Sequence, residues 1–127
     1  MASAVLDSSA VLAVLNAEPG ADAVAKVLND ALVSTVNYAE VFSKLVERGT
    51  TAADATAALQ IIALTAVDFD IALAQRTGAL RAETIRQGLS LGDRACLALA
   101  RREGATAVTA DTAWRKVDLG IDIQFIR

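Results

Sequence analysis

Four acidic residues, Asp7, Glu40, Asp93 and Asp111, stand where a parallel α/β sheet would bring them to one edge. Asp7 and Asp111 leave the C-terminal ends of short β-type runs, and Glu40 and Asp93 fall in the first turns of apolar helical stretches. Four carboxylates close together repel one another, which raises their pKa values unless a cation is present. A hard divalent ion with oxygen ligands relieves that repulsion, and Mg²⁺ takes a few carboxylates while keeping several waters. Such an ion activates water and neutralises charge building on a phosphodiester. The pattern points to metal-assisted phosphodiester hydrolysis. Its competitor is four unrelated caps and turn acids.

The stretch Leu89-Ser90-Leu91-Gly92-Asp93-Arg94-Ala95-Cys96-Leu97-Ala98-Leu99-Ala100 shows how both readings attach to one residue. Ser90 can cap a helix while Asp93 reaches back to it in a capping box. The helix dipole favours a carboxylate in that turn. Gly92 removes a side chain where a ligand or another backbone can approach closely. Ala95 to Ala100 is almost wholly apolar, so the helix must be buried on most of its surface.

The residue types that are missing narrow the chemistry further. With no histidine and one cysteine, Cys96, serine- and cysteine-histidine nucleophilic sites, disulfides and the common zinc cages are excluded. Cys96 itself reads as core. Apolar residues make up 54% of the 127 and mean hydropathy is +0.43, so surface awaiting a partner is expected. No apolar run nears the roughly eighteen residues needed to span a bilayer, and no leader opens the chain. The expectation is a cytoplasmic protein. Net charge is −3. Up to Ala63 three basic residues face seven acids, whereas beyond it nine basic residues, eight of them Arg, face eight acids. A uniformly basic nucleic-acid binder is excluded, yet the second half has enough Arg to line a phosphate-binding face.

The elements that must position the acids follow in order. Ala2–Leu6 reads as a strand, and Ser8 or Ser9 as the cap of a helix stopped by Glu18-Pro19-Gly20. Pro19 opens a second helix to Leu28, Ala31–Ser34 is a strand, and Thr35 or Asn37 caps a helix to Arg48, with Glu40 paired to Asn37. Thr51 caps a fourth helix to about Leu64, Ala66–Phe69 is a strand, and Asp70 caps a helix to about Leu80. Arg81–Gly88 reads as frayed helix or loop; then come the Ser90 helix to Arg102, a strand at Ala105–Thr109, a turn around Trp114 and a half-buried edge strand at Ile121–Ile126. Alternating strands and helices predict one domain over residues 1–127, a three-layer α/β/α sandwich on a mostly parallel twisted sheet of about five strands. Ligands bind such sheets at the C-terminal ends of the strands.

Four blocks, Val5-Leu6-Asp7-Ser8-Ser9-Ala10, Val36-Asn37-Tyr38-Ala39-Glu40-Val41, Leu89 to Ala100, and Val108-Thr109-Ala110-Asp111 followed by Trp114, together resemble those of a PIN domain. More narrowly the chain resembles the VapC toxins of type II toxin–antitoxin systems, over essentially its whole length. The resemblance implies an endoribonuclease dependent on Mg²⁺, with Mn²⁺ as a substitute. It implies neutralisation by a VapB-type antitoxin, a homodimer, and contact with DNA only through the antitoxin. It carries metal binding and catalysis onto Asp7, Glu40, Asp93 and Asp111, and places the Thr109 hydroxyl near the metal.

Arg94 can contact substrate or pair with a site acid; Arg86, Arg94, Arg115 and Lys116 are the candidates for holding RNA phosphates. Ser8 is chiefly a cap, although its N–H can also face a phosphate. Trp114 is expected to pack the last turn on the sheet, and five aromatics are too few for a base-stacking platform. The apolar helices from Ala21 to Leu64 predict a groove for a partner peptide, and self-association. A phosphoacceptor receiver domain would want an acid pair after the first strand and a lysine after the last parallel one, and neither is there. A catalytically silent interaction module of the same fold is the remaining alternative.

Overall fold

The computed structural model describes residues 2–127. Five strands, β1 (Ala4–Leu6), β2 (Ala31–Ser34), β3 (Thr65–Val67), β4 (Thr106–Thr109) and β5 (Ile123–Phe125), form one sheet in the order β3-β2-β1-β4-β5. Every neighbouring pair is parallel. Six helices connect or flank them: α1 (Ser8–Leu15), α2 (Ala21–Val27), α3 (Thr35–Glu47), α4 (Ala52–Ile61), α5 (Ile71–Thr84) and α6 (Leu91–Glu103). Short 3-10 turns occupy Leu28–Asp30, Ile85–Gln87 and Thr112–Lys116.

The two-residue period of the central strands divides the core. Ala4 and Leu6 of β1, Ala31 and Val33 of β2 and Val108 of β4 pack with residues of α1 to α4. Val5 and Ala107 turn the other way, onto α5, α6 and Trp114. Buried on both faces, β1 is apolar throughout, as a central parallel strand must be. The chain runs outward from β1 to β3 and then returns to β4 on the other side. The switch in direction therefore lies between β1 and β4, and ligand crevices in such sheets open there.

Most predicted elements are present, and the differences lie at their ends. Asp7, not Ser8 or Ser9, caps α1, accepting from the Ala10 N–H at 2.9 Å. Ser34, not Thr35 or Asn37, caps α3. Thr35 instead accepts from the Phe69 N–H at 3.0 Å, which pins the segment leading into α5. Gly20 rather than Pro19 precedes α2, at φ +97°, and a Cβ there would fall 2.6 Å from the Ile126 carbonyl. The third strand closes at Val67, leaving Phe69 to pack beside the core outside the sheet. Of the two readings of Arg81–Gly88 the helical one holds: α5 continues to Thr84 and a 3-10 turn carries the chain to Gly88. No described helix is long and apolar enough to cross a membrane.

Candidate active site

Asp7 sits just past β1, where the chain leaves the sheet for α1, and is 4% exposed. Its backbone N–H donates to the Val108 carbonyl at 3.1 Å, so it stays in register with β4. Both of its carboxylate oxygens are engaged. Oδ1 accepts from Ser9 Oγ at 2.7 Å and from the Ala10 N–H at 2.9 Å, and Oδ2 accepts from Thr109 Oγ1 at 2.5 Å. Burial pushes the Asp7 carboxyl up to about 6, against the pull of these three bonds, and the Asp93 charge pushes the same way. Losing water costs the carboxylate more than three donors return.

Ser9 and Thr109 link Asp7 to the end of β4. The Ala110 N–H donates to Ser9 Oγ at 2.8 Å, and the Asp111 N–H donates to Thr109 Oγ1 at 2.9 Å. Asp111 caps the 3-10 turn that follows, accepting from the Ala113 N–H at 2.9 Å. It therefore stands one backbone step from the hydroxyl that holds Asp7.

Glu40 enters from α3. Its Oε1 accepts a short hydrogen bond from Ser8 Oγ and another from Asn37 Nδ2 at 3.0 Å. Asn37 is buried and also donates to the Gly92 carbonyl at 3.1 Å, which ties α3 to the first turn of α6. A Cβ on Gly92 would fall inside the Glu40 carboxylate, 2.5 Å from its Cδ. Gly92 is thus the point of close approach, and the approaching group is a side chain rather than backbone.

Asp93 completes the predicted capping box: its Oδ2 accepts from the Ser90 N–H at 2.9 Å, and its own N–H donates to Ser90 Oγ at 3.1 Å. Cap and site are not alternatives here. Asp7, Asp93 and Asp111 each spend an oxygen on a helix or turn terminus, and that bond fixes the direction of the carboxylate.

Asp7, Glu40 and Asp93 share one neighbourhood. Burial raises the Cys96 thiol well above its ordinary range, and the charges of Asp7, Asp93 and Glu40 each raise it further. Cys96 is fully buried against β1, so the three carboxylates lie within electrostatic reach of one point in the core. Asp111 joins through Thr109 rather than directly. Among the described residues no three Asp, Glu or Cys side chains close into a metal cage.

Arg94 pairs with no acid among the described residues; its guanidinium donates to the Thr77 carbonyl at 3.2 Å and its Nε is buried without a partner. It ties α5 to α6. Trp114 is 0% exposed and packs on the sheet, where no base can stack on it. Arg86, Arg115 and Lys116 line one cavity, which Arg94 does not reach. Ser9 and Asn37 have larger parts than their sequence reading as caps gave them. The signal for Asn37 was its position three residues before Glu40, on the same helix face. Ser9 had only the Asp-Ser-Ser run, which a plain N-terminal cap also explains.

An all-parallel α/β/α sandwich with acids gathered at its switch point defines a class of proteins that act at the strand ends. The sequence profile of the PIN domain matches residues 4–119, and the chain belongs to that family. No curated protein sequence matches it. Among solved structures, the DNA-bound VapBC of Salmonella typhimurium is similar over 100% of both chains, with TM-score 0.78 and 21% identity. VapBC2 of Rickettsia felis, bound to a promoter DNA fragment, covers 95% of this chain and 96% of its own, with TM-score 0.74 and 19% identity. VapC20 of Mycobacterium tuberculosis, a sarcin-ricin loop cleaving toxin, covers 87% and 91%, with TM-score 0.71 and 18% identity. At these identities the likeness is one of fold.

Proposed function

We propose that this protein is a VapC-type toxin, a Mg²⁺- or Mn²⁺-dependent endoribonuclease of the cytoplasm held in check by a VapB-type antitoxin. The observation that carries it is Asp7, a carboxylate buried at the switch point beside Asp93, whose ionised form the bare protein disfavours. A cation reverses that preference. The donor set is oxygen throughout and suits a hard ion. Mg²⁺ needs only one or two protein carboxylates and keeps its waters. Asp7 and Asp93 would hold the ion, with Glu40 and Asp111 flanking.

When bound, such an ion neutralises charge building on a phosphodiester and makes water a better nucleophile at neutral pH. The chain does the positioning. Ser9 and Thr109 lock Asp7, Asn37 and Ser8 lock Glu40, and the capping box locks Asp93. Preorganised carboxylates of this kind need little rearrangement in the transition state. The likeness in fold to a sarcin-ricin loop cleaving toxin supports RNA as substrate.

The likeness to VapBC complexes supports the antitoxin. A groove of about 540 Å³ runs along Val36, Ala39, Glu40, Ser43, Lys44 and Glu47 of α3 to Leu91 and Gly92 of α6. Leu91 is exposed at its rim. The groove lies partly outside the Ala21–Leu64 helices where the sequence placed it, because the first turn of α6 forms its far wall. An antitoxin segment seated there would reach Glu40 directly, and self-association remains part of this reading.

The test is cleavage of single-stranded RNA by purified protein with Mg²⁺, Mn²⁺ or chelator, and by Asp7→Asn and Asp93→Asn. Cleavage that needs metal and both aspartates is expected. Undiminished cleavage in excess chelator would overturn the metal reading, and no cleavage under any condition would leave a silent interaction module.

A further inference from the structure

Beyond the acids, the 3-10 turns Ile85–Gln87 and Thr112–Lys116 pack together and border a half-open cavity of about 680 Å³. It is lined by Arg86, Gln87, Thr112, Ala113, Arg115 and Lys116, three cations and no carboxylate. In a chain of net charge −3 that is a local reversal of sign. None of the three cations forms an ion pair among the described residues. Their charge is unspent.

The walls are held rather than loose. Gln87 Nε2 reaches the Lys116 carbonyl at 3.4 Å, bridging the two turns. The Arg115 guanidinium lies over the Phe125 ring, 4.5 Å from its centroid. Stacking restrains the plane of that group and leaves its N–H edges free for an anion. The second turn is capped by Asp111 Oδ1, and Thr112, the next residue, lines the cavity, so cavity and acid meet along one short turn. A ligand that spans both must present one phosphate to the acids and further phosphates at the spacing of a strand.

We propose that this cavity is a backbone subsite that grips the RNA strand through phosphates next to the one cleaved. It rests on the ribonuclease reading and adds where the strand runs: from the strand ends, past Asp111, between the two turns. The acids repel an approaching strand, and three unpaired cations beside them offset that repulsion. The grip reads charge and not base identity, so it sets affinity and direction and leaves sequence choice to other contacts.

The experiment uses the Asp93→Asn protein, which keeps the cap while blocking cleavage, and a labelled oligouridine of about twelve nucleotides read by fluorescence anisotropy. Adding Arg86→Gln, Arg115→Gln and Lys116→Gln should weaken binding by about tenfold or more, and flatten the plot of log Kd against log salt by about 2, at ~0.7 for each phosphate no longer neutralised. Lys26→Gln, Arg48→Gln and Arg76→Gln on the same background change total charge equally, outside the cavity, and should leave that slope in place. Single Arg86→Gln and Lys116→Gln variants stand in for the triple variant if it unfolds. Equal slopes for the two triple variants, or no RNA binding by the Asp93→Asn protein, would overturn the subsite. An equal loss for a polyglutamate peptide would show a general polyanion site and overturn the assignment to RNA. If the parent protein cleaves no RNA while the cavity variants still lose binding, the catalytic reading fails and the subsite stands.

Discussion

The carboxylate of Glu40 occupies the volume that a side chain on residue 92 would need. Glu40 is anchored there from two sides, by Ser8 of α1 and by Asn37 of its own helix, and Asn37 in turn holds the Gly92 carbonyl. One missing Cβ therefore lets α3 deliver an acid to the first turn of α6.

Gly92→Ala should separate activity from stability. Alanine gains up to about 1 kcal/mol over glycine in a helix, which offsets part of the local crowding. The Glu40 carboxylate must leave its place, and displacement by an ångström costs about a hundredfold in rate. Urea unfolding should therefore move little while RNA cleavage falls by about that factor. Full activity in the alanine variant would show that Glu40 is not needed where it stands.

Asp7 makes stability fall as pH rises. Its folded-state pKa, about 6, lies above the ordinary value of 3.8, so between them the folded state binds more protons than the unfolded one. Its ionisation then costs about 3 kcal/mol in metal-free protein, absent below the lower value and complete above the upper one. Unfolding in chelator across that window should show this loss in the parent and not in Asp7→Asn. Divalent-metal affinity should rise with pH to about the same upper limit and then level off. Flat profiles in the parent would mean that Asp7 is better solvated than its burial indicates.

Asp93 is tested by metal-linked stability. The Asn variant keeps an oxygen for the Ser90 N–H and removes one charge from beside Asp7, so without metal it should be no less stable than the parent. Mg²⁺ at a hundredfold excess over its dissociation constant should stabilise the parent by about 2.7 kcal/mol, and the variant should lose most of that gain. Thermal unfolding at fixed ionic strength reads both. An equal shift in parent and variant would make Asp93 a cap and nothing more.

Thr109 donates to Asp7 and accepts from the Asp111 N–H, with 0% of its surface exposed. Thr109→Val keeps the shape and removes both bonds. The loss should be about 1–3 kcal/mol, the cost of leaving buried polar groups unpaired. Without that donor the Asp7 titration should move up, carrying the acid limb of cleavage with it. Thr109→Ser should restore both. A valine variant with an unmoved pH profile would place the hydroxyl outside the site.

The places of the four acids in the fold were legible because each carries a local signal: the end of an apolar run for Asp7 and Asp111, the opening turns of a helix for Glu40 and Asp93. The Ser90–Asp93 box formed as its spacing predicts, since both partners lie within one turn. What holds the acids was not legible. Thr109 meets Asp7 across 102 positions, and Asn37 meets Gly92 across 55, so no window of sequence contains either pair. The misplaced caps have a single cause. Ser34 closes β2 and Asp7 is the single residue between β1 and α1, so each caps the next helix before the residues expected to do so.

The central place of β1 in the sheet also sets an order of assembly. Asp7 is made well before β4, yet its burial and its register depend on that strand, some hundred positions later. Domains fold as units, and long-range parallel pairings form slowly. A growing chain that has made α1 to α5 already has Asp7 and Glu40, but neither the Asp93 turn nor the Thr109 hydroxyl. It therefore passes through synthesis as an incomplete, inert site. On the nuclease reading proposed above, the strand order itself withholds activity until the chain has been made through β4.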